Sequence, residues 1–336
     1  MNITRKDIIN KLRSAKKGSE REQILSIGKN RELLNSSGAN VTLYSGEVTP
    51  QKSPLKELDN IYIGVIQRLN ARTSAPDGIG ALGGLSERTN EEYFANLSAE
   101  EKLALFGQKD DVILKDNKPV LTDDINIIRR NNVLRETREE LGNLGIYDFE
   151  INPDNITLID MPNVKDDNYA INIWNGEGDV WCITPYCHVM KTSEQTLDTL
   201  SKRSEDIHLH EQHSEAARFK KIKLTQALRS FGNMSGSHKL EDGRNANSDY
   251  RYPHEWLTTW ALAAKLLNHD EGKIVQLYKE IQAQTGWKIS FKRAAEKMGK
   301  DLSFIANTLK ISVKAVETME QMPSGGMFMS ANTRHI

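Results

Sequence analysis

At 336 residues, the chain exceeds the usual size of one domain, so one large or two modest domains are expected. With 38% hydrophobic and 27% charged residues, it is polar for a globular protein yet far from a disordered composition, and no apolar run approaches the roughly 20 residues that span a bilayer. The net charge of −1 is unevenly spread, with +5 on residues 1–36, −11 on 37–272 and +4 on 273–321, so the acidic centre suits a divalent cation better than bare nucleic acid.

In chain order, residues 4–35 predict two helices broken at Lys17-Gly18-Ser19, with Ile8, Ile9 and Leu12 on one face of the first and Ser36-Ser37-Gly38 stopping the second. Residues 1–20 hold no continuous apolar stretch, so no secretory leader is expected. Val41–Tyr44 predicts a short strand, 50–54 a linker, and Ile61–Leu69 a β-branched strand central in its sheet. Asn70–Asn90 reads as a glycine-bearing loop. A helix near Ser98–Phe106 and a hairpin of Asp111–Lys115 with Pro119–Thr122 follow. A strong helix is expected over Asp124–Leu141, with acids at its positive end and Gly142 as its stop.

Strands are predicted at Ile156–Asp160, Tyr169–Asn175 and Asp179–Tyr186, the last two joined by a turn at Asn175-Gly176-Glu177-Gly178. Cys182 and Cys187 are the only cysteines, too few for a disulfide framework or a zinc ribbon, and are read as buried thiols of a cytoplasmic protein. Helices follow at 193–206 and Leu224–Phe231, and 232–249 reads as loop. Pro253 opens a helix whose Trp256, Trp260, Ala263, Ala264 and Leu267 form a core stripe. Residues 271–321 predict further helices and 323–336 a polar tail.

The chemistry concentrates in Arg135-Glu136-Thr137-Arg138-Glu139-Glu140-Leu141-Gly142. On a helix, Glu136, Glu139 and Glu140 stand at i, i+3 and i+4 and share a face. Such carboxylates repel one another unless a cation neutralises them, and a hard divalent ion accepts oxygen ligands while leaving room for substrate phosphates. Arg135 and Glu139 are spaced to pair at i, i+4. The bland alternative is a solvated Arg/Glu surface.

The pattern Arg-Glu-x-x-Glu-Glu-x-Gly resembles the second half of the Nudix box, over residues 135–142 within a resemblance spanning roughly 57–235. It implies an α/β fold, a Nudix-like α/β/α sandwich with a mixed sheet, here with helical extensions at both ends. The expected organisation is an N-terminal extension over 1–56, a catalytic domain over 57–270 with an insertion at about 90–123, and a helical segment over 271–336. The resemblance further implies that Glu136, Glu139 and Glu140 bind Mg²⁺ or Mn²⁺ and that Arg135 and Glu139 serve catalysis. It also makes Glu215 a candidate base and Gly83-Gly84 the substrate-facing loop, displaced from the helix by about 40 inserted residues. The upstream glycine and glutamate of the full box are missing at their fixed distances, where Leu121 and Ile127 stand; Glu91 or Glu92 would substitute for the glutamate. Thr137 and Asn143 replace aliphatic residues. The implied activity is metal-dependent hydrolysis of a phosphoanhydride in a nucleoside diphosphate linked to another moiety, with a small nucleotide as partner and no membrane.

Three other motifs carry weaker signals. Gly78-x-Gly80-x-x-Gly83 matches a dinucleotide-binding fingerprint in letter but does not sit between a strand and a helix. His208-x-His210-Glu211-x-His213-x-Glu215 fits no zinc spacing and reads as polar loop. Residues Ile305–Thr318 resemble the helix-turn-helix of response-regulator DNA-binding domains, with Ser312 capping the second helix and Lys310 in place of the usual turn glycine. That makes a ligand-sensing transcription regulator binding DNA the alternative function.

Overall fold

The computed structural model describes residues 35–67, 79–159, 171–174, 180–205, 218–229, 237–239, 245–247, 253–285, 289–298 and 300–323. The expected N-terminal helices, the turn at 175–178, the histidine cluster at 208–213 and nearly all of the C-terminal tail lie outside these residues. The chain is a mixed α/β protein with a mixed sheet. None of its described helices is long and apolar enough to cross a membrane. Contacts gather it into two units, one of residues 1–40, 83–137 and 163–186 and the other of 41–82, 138–162 and 187–336.

The strand order is β10 (Arg218–Lys223), β2 (Tyr62–Gln67), β1 (Asn35–Ser45), β9 (Val180–Lys191) and β7 (Ile156–Leu158), with β3 (Ile79–Gly80) also on β2; β10, β2, β7 and β3 belong to the second unit, as do residues 41–45 of β1 and 187–191 of β9. β2 lies between two antiparallel neighbours, pairing Ile63 with Tyr44 and with Ile222, which agrees with the central position its β-branched run predicts. A glycine is required within it: a Cβ on Gly64 would meet the Phe219 ring at 2.2 Å, so the aromatic ring occupies the space above this strand.

Several expectations change. β1 starts at Asn35 and runs eleven residues, so Ser36-Ser37-Gly38 extends a strand instead of ending a helix. The predicted linker contains a one-turn helix, α1 (Pro54–Glu57), capped by the Ser53 hydroxyl. Part of the glycine loop is strand, β3 and β4 (Leu82–Leu85), because pairing with β2 and β1 satisfies its backbone groups. β10 has no counterpart among the predicted elements, and β11 (Ser237–Lys239) pairs with β12 (Asn245–Asn247) inside the predicted loop.

In the first unit, α2 (Glu91–Asn96) and α3 (Ala99–Ala104) follow β4; α3 begins with a capping box of Ser98 and Glu101. The hairpin β5 (Val112–Lys115) with β6 (Lys118–Leu121) forms as predicted, its two turn residues Asp116 and Asn117 both at positive φ. β8 (Ile171–Trp174) pairs antiparallel with β9. The helix α4 (Ile125–Asn143) runs from this unit into the other between Thr137 and Arg138. It passes through Gly142 and stops instead at Gly145, φ 71°, where the Gly145 and Ile146 amides donate to the carbonyls of Gly142 and Leu141, each at 2.8 Å.

The rest of the second unit is mostly helical: α5 (Glu194–Glu205), α6 (Leu224–Leu228), α7 (Pro253–Leu266), α8 (Glu271–Thr285), α9 (Phe291–Lys297), α10 (Leu302–Leu309) and α11 (Val313–Gln321). The first twelve residues of α7 are buried, wider than the apolar stripe predicts. Trp256, Trp260, Tyr278 and Phe291 pack ring to ring with centroids 5.0–6.1 Å apart. The Trp256 indole donates to the Leu228 carbonyl at 3.2 Å. Among the polar residues buried along α7, Glu255 accepts from the Ala81 amide at 3.4 Å. Cys187 is also buried, which raises its thiol to about 12.

Candidate active site around Arg135 and Glu136

α4 supplies the site's side chains because its sequence alternates buried and exposed positions over five turns. Ile128, Arg129, Asn132, Val133, Arg135 and Thr137 are buried, while Arg130, Arg138 and Glu139 are exposed. A buried arginine needs a partner to offset its desolvation. The partner is Asp110, in the turn before β5. Arg135 Nε donates to Asp110 Oδ1 at 3.1 Å and Nη2 to Oδ2 at 3.2 Å; both side chains are almost fully enclosed. Nη2 also donates to the Leu85 carbonyl at 2.7 Å, and Nη1 stands 2.9 Å from Glu136 Oε1. One guanidinium therefore ties together the end of β4, the hairpin and the first acid of the motif.

Asn132 reinforces this clamp. Its amide nitrogen donates to the Leu85 carbonyl at 2.9 Å and to Asp110 Oδ2 at 3.2 Å, while its oxygen accepts from the Ala39 amide at 2.8 Å. Asp110 also accepts from the Glu87 amide at 2.7 Å. Next to it, buried Asp111 accepts from the Thr89 amide at 2.9 and 3.1 Å. Burial raises the Asp111 carboxyl above its ordinary range against the pull of that amide. The loop after β4 is thus held by two consecutive carboxylates.

The glycines meet the same cluster. Gly83 has φ +147°, and a Cβ there would lie 2.2 Å from the Ala39 carbonyl oxygen. A Cβ on Gly84 would lie 2.1 Å from Glu136 Oε2. So one oxygen of Glu136 faces Arg135, and the other rests against the bare Cα of Gly84.

Of the sequence-predicted residues, the first unit brings together Gly83, Gly84, Arg135 and Glu136. Glu139 and Glu140 sit three and four positions further along the same helix, exposed and half-buried, past the point where α4 enters the second unit. Glu215 lies outside the described residues. Glu91 and Glu92 are on the surface of α2, and the acid that meets Arg135 is Asp110. No group of three or more His, Cys, Asp or Glu among the described residues is gathered to hold a metal ion. Carboxylate oxygens on successive turns match a hard divalent cation in chemistry, but they do not form a ready cage.

Sequence reasoning missed Asp110, Asn132 and Arg129. The last is buried with its guanidinium carbon 3.2 Å from the centroid of the Tyr186 ring, and burial lowers its pKa. The signal available for Asn132 and Arg129 was polar residues recurring on the face of α4 that also carries apolar Ile128 and Val133; Asp110, before β5, had no such signal. No family model matches this chain, and no curated protein matches it either.

Proposed function

We propose that the chain adopts a Nudix-like α/β/α sandwich and hydrolyses a phosphoanhydride bond in a nucleoside diphosphate linked to another moiety, with Mg²⁺ or Mn²⁺ as cofactor. The observation that supports this most is the contact of Gly84 with a Glu136 carboxylate clamped by Arg135 and Asp110. It makes a purely solvated Arg/Glu face a poor description, because a surface arginine needs no buried counter-ion. Glu136, Glu139 and Glu140 are the residues we assign to the ion. When bound, it neutralises charge on phosphoryl oxygens and lowers the pKa of a water. Arg135 orients Glu136, and Gly83-Gly84 let backbone approach the phosphates without a side chain in the way. Glu139, the most exposed of the three, is our candidate to accept the proton of the attacking water. The nucleotide character of the substrate rests on the resemblance of residues 135–142.

The test is a phosphate-release screen over nucleoside diphosphate derivatives with Mg²⁺ or Mn²⁺, run beside Glu139→Gln. Turnover by the wild type that falls about 10²-fold or more in the variant supports the reading. Equal turnover by both contradicts the assigned site, and no turnover by either favours a binding module.

One observation favours the second reading, a DNA-binding regulator. Residues 302–321 do form two short helices around a tight turn: Lys310 takes the left-handed conformation that a glycine would take there, φ 57°, and the Ser312 hydroxyl caps α11. Duplex DNA binding that weakens steeply as salt rises is the expected result for that reading.

A further inference from the structure

In the second unit, a cavity of about 120 Å³ lies where the C-terminal ends of α7 and α10 meet β7. Leu158, Ile159 and Ala261 make its apolar wall, and Lys265, His269 and Lys310 make its basic side. Thr308 also lines it, but its hydroxyl already donates to the Phe304 carbonyl at 2.8 Å. Among the described residues neither Lys265 nor Lys310 forms an ion pair. The two acids that follow His269 are engaged elsewhere: Asp270 accepts from the Lys273 amide at 3.1 Å and Glu271 from the Ser312 amide at 2.7 Å. His269 Nδ1 stands 3.1 Å from the Leu309 carbonyl, and because a carbonyl only accepts, Nδ1 carries the proton. That bond ties the turn after α7 to the end of α10.

Basic residues at helix C-termini complement the helix dipole, which accounts for the charge but not for an apolar recess beside it. The backbone supplies a second observation. Three of the five non-glycine residues at positive φ among the described residues are Asn268, His269 and Lys310, at 57°, 55° and 57°. Glycine takes this conformation without steric cost, yet two of the three positions carry side chains of residues that line the cavity. Strain of this kind concentrates where side chains serve a ligand. Two lysines beside an apolar wall suit an anionic group on a short hydrocarbon. The volume sets the length: an engineered apolar cavity of roughly 150 Å³ takes up benzene, so this one holds a chain of roughly three or four carbons. We propose that the cavity binds a short-chain carboxylate, with its carboxylate between Lys265 and Lys310 and its alkyl group against Leu158, Ile159 and Ala261. Inorganic phosphate would leave the apolar wall in water, and a longer acyl chain would overrun it.

The probe is butyrate, titrated calorimetrically into the full chain. Saturable binding is expected, with a Kd of about 1 mM or lower. Lys310→Gly, which relieves the left-handed backbone and so preserves the fold, should weaken binding about threefold or more, and so should Lys265→Gln at its exposed position. Lys314→Gln, on the adjoining α11 but outside the cavity, should leave it unchanged. Butyramide has the shape without the charge, and inorganic phosphate the charge without the alkyl group; each should bind about tenfold more weakly or worse. The proposal is overturned by no saturable butyrate binding below about 20 mM, by unchanged affinity in both folded lysine variants, or by butyramide or phosphate binding as tightly as butyrate. Binding alone is read, so the proposal stands or falls apart from the proposed hydrolase.

Discussion

Two regions of this protein solve burial in opposite ways. Around Arg135, side chains that prefer water are enclosed and matched donor to acceptor, with Asp110 and the Leu85 carbonyl accepting from one guanidinium and Asn132 donating to both of those acceptors. Around Trp260, four aromatic rings supply area and ask for little else. The first arrangement gains little net stability, because Coulomb attraction mostly offsets the desolvation of both ions, but it fixes where each atom sits. The second gains stability from area and specifies geometry only through shape. A site that must hold a carboxylate against a glycine needs the first kind.

The largest expected effects separate the two. Asp110→Ala leaves Arg135 buried and uncompensated and should cost about 3–5 kcal/mol in urea unfolding. Trp256→Ala should cost a similar ~3–5 kcal/mol by cavity formation. The comparison breaks on the second step. Replacing Asp110 and Arg135 together by leucine should recover most of the stability while losing any activity that depends on Glu136. A double variant as unstable as Asp110→Ala would show that the clamp is structural after all.

A smaller effect probes α7, where His254 is buried. Burial depresses its pKa from 6.5 to about 3. Above pH 6.5 both folded and unfolded chains hold it neutral. Between 6.5 and about 3 only the unfolded chain takes up the proton, so the stability present above 6.5 is lost as pH falls through this window. The slope should be about 1.4 kcal/mol per pH unit, or ~2 kcal/mol between pH 6.5 and 5. His254→Gln should flatten that part of the profile; equal slopes in variant and wild type would mean that the imidazole protonates in the folded state.

The smallest effect concerns the turn between α10 and α11. Lys310 is exposed and left-handed, a conformation that costs a non-glycine residue about 1 kcal/mol. Lys310→Gly should therefore raise stability by ~1 kcal/mol in thermal unfolding. No change, or a loss, would argue that the turn is held by contacts of the lysine side chain.

Local chemistry made some elements legible in the sequence. The hairpin at 112–121 and the helix at 125–143 follow from short-range pattern, because an Asp-Asn turn and a five-turn buried face are properties of neighbouring residues. The three glutamates were readable for the same reason, since i, i+3 and i+4 define one helical face without further information. Arg-Phe-Lys-Lys-Ile-Lys at 218–223 was not readable, having too few apolar residues to signal a strand; it is one because β2 offers it a full antiparallel ladder. Tertiary structure alone decided the partner of Arg135. Asp110 lies 25 residues away at no diagnostic spacing, one acid among the ten of residues 86–125, and only the enclosure of both side chains in one low-dielectric place selects it over Glu91 or Glu92.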